Sequence, residues 1–213
     1  MKILGIDTST KTLCLGICDS DKVYEYGLEL GTRISTLLVP TIKRVVESLD
    51  WKINDIDYFA AGIGPGSFTG IRVGLATVKA LSWSLNKPLV GISSLDILAR
   101  NAWEDCDFII PVIDAKRDLV YGSIYKKQGS SIKRVAPYML LGRREFILKI
   151  KSNISAKALN DSVILGDGLN ICAKDCSDSL RGIKILDRDY WNLEGRNLIA
   201  LTKVALREKK LSD

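Results

Sequence analysis

Two apolar runs, ILGID at 3–7 and PVID at 111–114, each close on an aspartate and each open the same succession of predicted elements: three strands, a helix, a strand, a helix. A chain that repeats such a unit is held to two sheets of one topology. In the first half, strands over 2–7, 12–19 and 22–30 are separated only by the turns TSTK and SD, so they pair as antiparallel neighbours. Ile34, Leu37, Leu38, Ile42, Val45, Val46 and Leu49 recur at helical spacing and predict a helix over 34–49, with a bend at Pro40. A short apolar run at 57–64 reads as a buried parallel strand. A helix over 69–85, a strand over 89–93 and a helix over 94–103 complete the half. The second half predicts strands at 108–115, 119–127 and 131–140, a helix at 143–151, a strand at 163–168 and a helix at 170–180. A short strand IKIL and a helix at 194–208 end it. Antiparallel strands feeding parallel ones through crossover helices define an α/β chain with mixed sheets covered on both faces. The expected division is 1–104 and 105–213.

The 213 residues contain no histidine. This excludes a Ser-His-Asp or Cys-His arrangement and any histidine metal site, leaving Asp, Glu, Lys, Tyr and Cys for chemistry. The five cysteines include two C-x3-C pairs. Cys14 and Cys18 lie on one face of an extended run, too far apart to chelate one ion, and nothing near Cys172 and Cys176 completes a ligand set. No metal is expected. Apolar residues make up 46% of the chain, but no run approaches the ~18 residues of a membrane span. The segment MKILGIDTST passes directly into a strand pattern rather than a signal peptide, so the expectation is cytoplasmic, with no membrane contact. The net charge of +6 permits nucleic-acid contact, although GRREFILKIKSN and LREKK read as solvated helix faces.

The stretch GIGPGSFTGIRVG at 62–74 holds five glycines between a predicted strand and a predicted helix. A phosphate cradle is the first reading to test. Gly70 is followed by Ile71 and Arg72, so the lysine and hydroxyl of a Walker loop are missing, and Gly64-x-Gly66-x3-Gly70 is one residue too long for the dinucleotide fingerprint. A tight strand-to-helix turn remains. The helix behind it is apolar or small nearly all round, with Arg72 and Lys79 its only charges, so it must be covered on two sides. Plain core and a partner interface explain this equally. Asp7 and Asp114 stand at strand ends, where carboxylates face ligand crevices in such folds. With Thr8, Ser9 and Thr10 they suit either Mg²⁺ and a phosphate or a self-satisfied turn.

Together, ILGIDTST at 3–10, LLVPTI, GIGPGSFTGIRVGLATVKAL at 62–81, GISSLDILA at 91–99, VIDAKRDLVYGSIY at 112–125 and GDG at 166–168 resemble the TsaB (YeaZ) family. The resemblance implies an actin/Hsp70/sugar-kinase-like fold of two duplicated ribonuclease-H-like halves. It implies a non-catalytic subunit that helps form the threonylcarbamoyl group on adenosine 37 of tRNAs reading codons that begin with A. The implied partners are a TsaD-type catalytic paralogue, a TsaE-type ATPase, a second copy when the chain is alone, and tRNA through the complex. The donor would come from a TsaC-type enzyme. No tightly bound cofactor is implied, although ATP and Mg²⁺ at the complex fit the family. The implied partner surface comprises Ile34, Leu37, Leu38, Ile42, Val45, Thr69, Arg72, Val73, Ala76, Thr77 and Ala80. Val78→Glu would then place a charge in it. Asp7, Thr8, Ser9 and Asp114 would form a degenerate nucleotide site. Lys116 and Leu119 stand where the family usually has Arg and Glu, and a P-x-Y-x-R-like tail is missing. The alternative function is a small Mg-dependent ATPase or phosphotransferase of the same superfamily.

Overall fold

The computed structural model describes residues 1–29, 31–102, 106–129 and 131–209. Leu30, Trp103, Glu104 and Lys210, which end or interrupt predicted features, lie outside the described residues. The chain divides into two compact units, 1–97 with 193–213, and 98–192.

The first unit holds β1 (Lys2–Asp7), β2 (Thr12–Asp19), β3 (Lys22–Glu29), α1 (Ile34–Glu47), β4 (Tyr58–Gly62), α2 (Phe68–Ser84) and β5 (Leu89–Ile92). Its sheet runs β3-β2-β1-β4-β5, antiparallel through the first three strands and parallel from β1 onward. α1 continues through Pro40, which is exposed, so the carbonyl left without its helix partner can reach water. Ile34, Leu38, Ile42 and Val46 of α1 and Val78 of α2 join Leu4, Ile6, Leu15 and Phe59 of the sheet in one core.

Next come α3 (Ser94–Ala99), β6 (Phe108–Lys116), β7 (Leu119–Gly122), β8 (Tyr125–Gln128), β9 (Ser131–Arg134), β10 (Met139–Gly142), α4 (Arg143–Asn153), β11 (Ser162–Leu165), α5 (Leu169–Ser179), β12 (Lys184–Ile185) and α6 (Gly195–Arg207). The second sheet runs β10-β7-β6-β11-β12, with β8 and β9 off that path. Its seven strands reduce to five long ones. β7 and β8 face β6 in a single register, Gly122 opposite Val112 and Tyr125 opposite Ile109. The Val135 and Ala136 N–H groups both donate to the Ile124 carbonyl, a bulge where β9 passes into β10. The strand order is therefore that of the first sheet, as the repeated sequence pattern predicts. The GDG triplet, read as the end of a strand, is instead a turn after β11.

α6 departs from the expected division at 104/105. Leu198, Ile199, Thr202 and Ala205 are buried, and α6 packs on β1, β2 and β3 of the first unit. Glycines make room for it. A Cβ at Gly5 would lie 2.9 Å from Leu198 Cγ, and one at Gly16 would run into the Gly195 carbonyl.

Candidate functional site

At the end of β1 the chain turns through Asp7, Thr8 and Ser9, all three buried. Asp7 Oδ1 accepts from the Ser9 N–H at 2.7 Å and Oδ2 from the Ser94 hydroxyl at 2.5 Å. The Ser9 hydroxyl donates to Ser94 Oγ at 2.9 Å. Thr8 Oγ1 donates to the Gly70 carbonyl at 2.7 Å, and the Ser67 N–H donates to the Ser9 carbonyl at 2.7 Å. Burial pushes the Asp7 carboxyl up from the ordinary aspartate value, against the opposing pull of the Ser9 and Ser94 hydrogen bonds.

The glycines of 62–74 explain this burial. A Cβ at Gly62 would collide with the Asp7 carboxylate, one at Gly66 with the Ser9 carbonyl, one at Gly70 with the Thr8 carbonyl and one at Gly74 with Thr8 Oγ1. Gly66, Gly70 and Gly74 recur at four-residue spacing, which carries the approach from the loop into one face of α2. Ser67 caps that helix by accepting from the Gly70 N–H at 3.2 Å. The glycine string therefore seats α2 on the turn, and both Asp7 oxygens are already satisfied within the protein. Asp7, Thr8 and Ser9 do come together, but as a buried knot that satisfies its own polar groups. A Mg²⁺ ion there would have to displace the Ser9 or Ser94 bond and part α2 from the turn. Ser94, 87 residues from Asp7, was not among the sequence candidates; the serines of GISS were the only hint of it.

Asp114 belongs to the second unit and keeps different company. Its Oδ1 accepts from the Lys116 N–H at 2.7 Å, and its Oδ2 pairs with Lys116 Nζ at 2.5 Å. The Asp114 N–H donates to Asp167 Oδ1 at 3.0 Å. The hydrogen bond from Lys116 Nζ to Asp114, with the charges of Asp114 and Asp167 and against the opposing effect of burial, raises the Lys116 ammonium above its ordinary value, although 71% of that side chain is exposed. Lys116, Arg117 and Asp118 all adopt positive φ (67, 53 and 64°).

Of the residues assigned to a partner surface, Thr69, Arg72, Ala76 and Ala80 are exposed, and Leu37, Val45, Val73 and Thr77 are half-buried. Ile34, Leu38 and Ile42 are not surface residues. They fill the unit's own core, as does Val78, so Val78→Glu would unfold the chain rather than report on a partner. Periodicity finds the apolar stripe of α1 but not which neighbour it faces. Two aromatic residues extend the exposed stripe of α2 at its ends. Phe68 is 66% exposed with the Arg72 guanidinium 3.7 Å from its ring centroid, and Trp83 is 89% exposed. A groove of about 530 Å³ between β3 and α1 is lined by Tyr24, Tyr26, Leu28, Leu37 and Val45 among others. All five cysteines are buried free thiols, and the described residues contain no group of three or more metal-ligating side chains. Among the described residues no helix is long and apolar enough to cross a membrane.

The family model described as "TsaD: tRNA N6-adenosine threonylcarbamoyltransferase" matches residues 32–179, well over half of the chain. The chain belongs to this family. Within it the chain stands with the TsaB (YeaZ) members. It is 35% identical over 138 residues to the tRNA threonylcarbamoyladenosine biosynthesis protein TsaB of Bacillus subtilis, covering 64% of this chain and 60% of that one. Against the Escherichia coli protein of the same name the identity is 30% over 135 residues, with 62% and 58% covered. The match thus spans about three fifths of these relatives' length. Two solved structures share the fold. YeaZ from Pseudomonas aeruginosa superposes with a TM-score of 0.83 at 20% identity, covering 100% of this chain and 95% of that one. A Pseudomonas aeruginosa protein described as similar to peptidase YEAZ gives 0.84 at 21%, covering 99% and 94%. The expected α/β class, with two mixed sheets of one strand order, is the one observed.

Proposed function

We propose that the chain is a non-catalytic docking subunit in the formation of threonylcarbamoyladenosine at position 37 of tRNA, acting on a TsaD-type catalytic subunit. The observation that carries this reading is the pairing of a sealed turn with an open helix stripe. α2 spends its glycine face on Asp7, Thr8 and Ser9, which removes the carboxylate a phosphotransferase would need. Its other face leaves Thr69, Arg72, Ala76, Ala80 and Trp83 exposed in one row. The small Ala76 and Ala80 suit close approach by a helix of another subunit, with the exposed Trp83 and Phe68 rings at the ends of α2 as anchors. A TsaE-type ATPase, ATP with Mg²⁺ and tRNA would join at the assembled complex rather than on this chain alone. A second copy would cover the stripe when no catalytic subunit is present. The cytoplasm is the corresponding location.

The test is reconstitution. A TsaD-type enzyme with its donor-forming and ATPase partners is given tRNA, with and without this chain. Modification that requires the chain is expected; full modification in its absence would sink the proposal. The rival Mg-dependent ATPase predicts ATP turnover by the isolated chain that is lost in Asp7→Asn.

A further inference from the structure

The chain's positive charge is concentrated in one segment. Between Tyr125 and Lys157 there are nine Lys or Arg residues and one acidic residue, Glu145, a local charge of +8 in a chain whose total is +6. The fold gathers much of it at one end of the second unit. The β8–β9 turn lies at the end where β6 begins, since Lys126 is opposite Phe108. α4 starts at the other end, after Gly142, which pairs with Leu119. It runs back so that β11 can begin with Ser162 opposite Phe108. Lys149, Lys151 and Lys157 are thereby returned to the end that carries Lys126 and Lys133, and all five are exposed.

Two details separate this cluster from an ordinary solvated surface. Lys126 and Lys133 are directly opposite one another on antiparallel strands, where like charges are destabilising. Lys126 is also on the face covered by α4. Even-numbered residues of this strand share that face, and a Cβ at Gly122 would meet the Phe146 ring of α4. Among the described residues none of these five lysines has a carboxylate within ion-pair distance. Asp107 and Asp161, at the starts of β6 and β11, offset only part of the charge.

We propose that this end of the second unit, the β8–β9 hairpin with the C-terminal half of α4, binds the phosphate backbone of RNA. RNA is chosen over other polyanions on the strength of the function proposed above. The surface itself favours backbone over base contact, because the one aromatic ring at Lys126, Phe108, is half-buried with the ammonium above it at 5.7 Å. A membrane is disfavoured because Leu148 is the sole exposed large apolar side chain of α4. Lysines on phosphates position a nucleic acid without reading its sequence, and their contribution falls with salt.

The full-length chain is titrated against a labelled unmodified tRNA transcript by fluorescence anisotropy over a salt series. Lys126→Gln, Lys133→Gln, Lys149→Gln and Lys151→Gln are combined in one variant whose folding is checked by circular dichroism. Its affinity at low salt is expected to fall at least tenfold, and the slope of log K against log salt to flatten by about 3. A control combining Lys22→Gln, Lys43→Gln, Lys79→Gln and Lys87→Gln in the first unit is expected to change neither. Equal losses in both variants, no loss in either, or tighter binding to polyglutamate or phosphatidylserine vesicles than to tRNA would overturn the proposal. The reconstituted reaction separates it from the function above. Modification that never needs the chain defeats that function. Modification that needs the chain but proceeds with an unchanged KM for tRNA in the quadruple variant defeats only the RNA surface.

Discussion

Asp7 ends β1 and Asp114 lies two residues before the end of β6, the first strands of two sheets with the same strand order, and their surroundings are opposite. Around Asp7 the carboxylate is held by the Ser9 N–H and the Ser94 hydroxyl, under a helix that approaches on glycines. Around Asp114 the carboxylate is held by a largely exposed lysine, in a turn with three consecutive left-handed residues. The first arrangement is dry and close-packed; the second is ionic and partly wet. A buried contact that no water can replace fixes the position of α2, and with it which of that helix's residues face outward. A surface ion pair fixes very little. The duplicated topology has therefore kept one strand-end turn as a packing joint and left the other as a solvent-facing loop.

Substitutions can break each half of that contrast. The largest effect is expected for Gly74→Val, whose Cβ has no room beside Thr8. About 3 kcal/mol or more of stability should be lost in urea unfolding, and an ordinary loss of under 1 kcal/mol would mean that α2 does not seal the turn. Next is the pH response of Asp7. Its carboxyl is raised in the folded state, so its contribution is fully present below the ordinary aspartate value and is lost as pH rises through the raised one. Relative to Asp7→Asn, the wild type should therefore lose stability across that window, measured as the difference in urea midpoints at successive pH values. A constant difference would place a water-exposed carboxylate there. Lys116→Ala should cost no more than about 1 kcal/mol and should cost less in high salt, because the ammonium is mostly solvated. Smallest of all, Arg117→Gly should change stability by no more than about 0.5 kcal/mol, since relief of the left-handed conformation is offset by the flexibility of glycine in the unfolded chain.

Local pattern made much of this molecule legible. The short turns after β1 and β2 gave the antiparallel pairing. The repeated order of elements gave the second sheet, including the long strands now seen as β7 with β8 and β9 with β10. The glycine string could be read as a close approach because its spacing fits neither phosphate code. What it approaches was hidden, since Thr8 and Gly70 meet across 62 residues of chain. The same limit hid Ser94 and the return of α6 to the first sheet. An amphipathic helix announces that it will be covered, but not by which sheet. For α2, apolar or small nearly all round, periodicity could not separate Val78 in the core from Ala76 and Ala80 at the surface. GRREFILKIKSN read only as a solvated helix face, because Lys126 and Lys133 come from separate elements and reach the same end as Lys149 and Lys151 only through the direction of the strands.

In the function proposed above, α2 works with its outer face and not through Asp7. Threonylcarbamoyl transfer to tRNA by a TsaD-type enzyme, supplemented in turn with Asp7→Asn and with Ala76→Glu, tests it most directly. Ala76 is exposed, so the glutamate should change stability by no more than about 0.5 kcal/mol. Asp7→Asn is expected to support modification at close to the wild-type rate, while folded Ala76→Glu is expected to support little and to fail to sediment with the catalytic subunit. Folded Asp7→Asn that abolishes modification, with Ala76→Glu fully active, would contradict it.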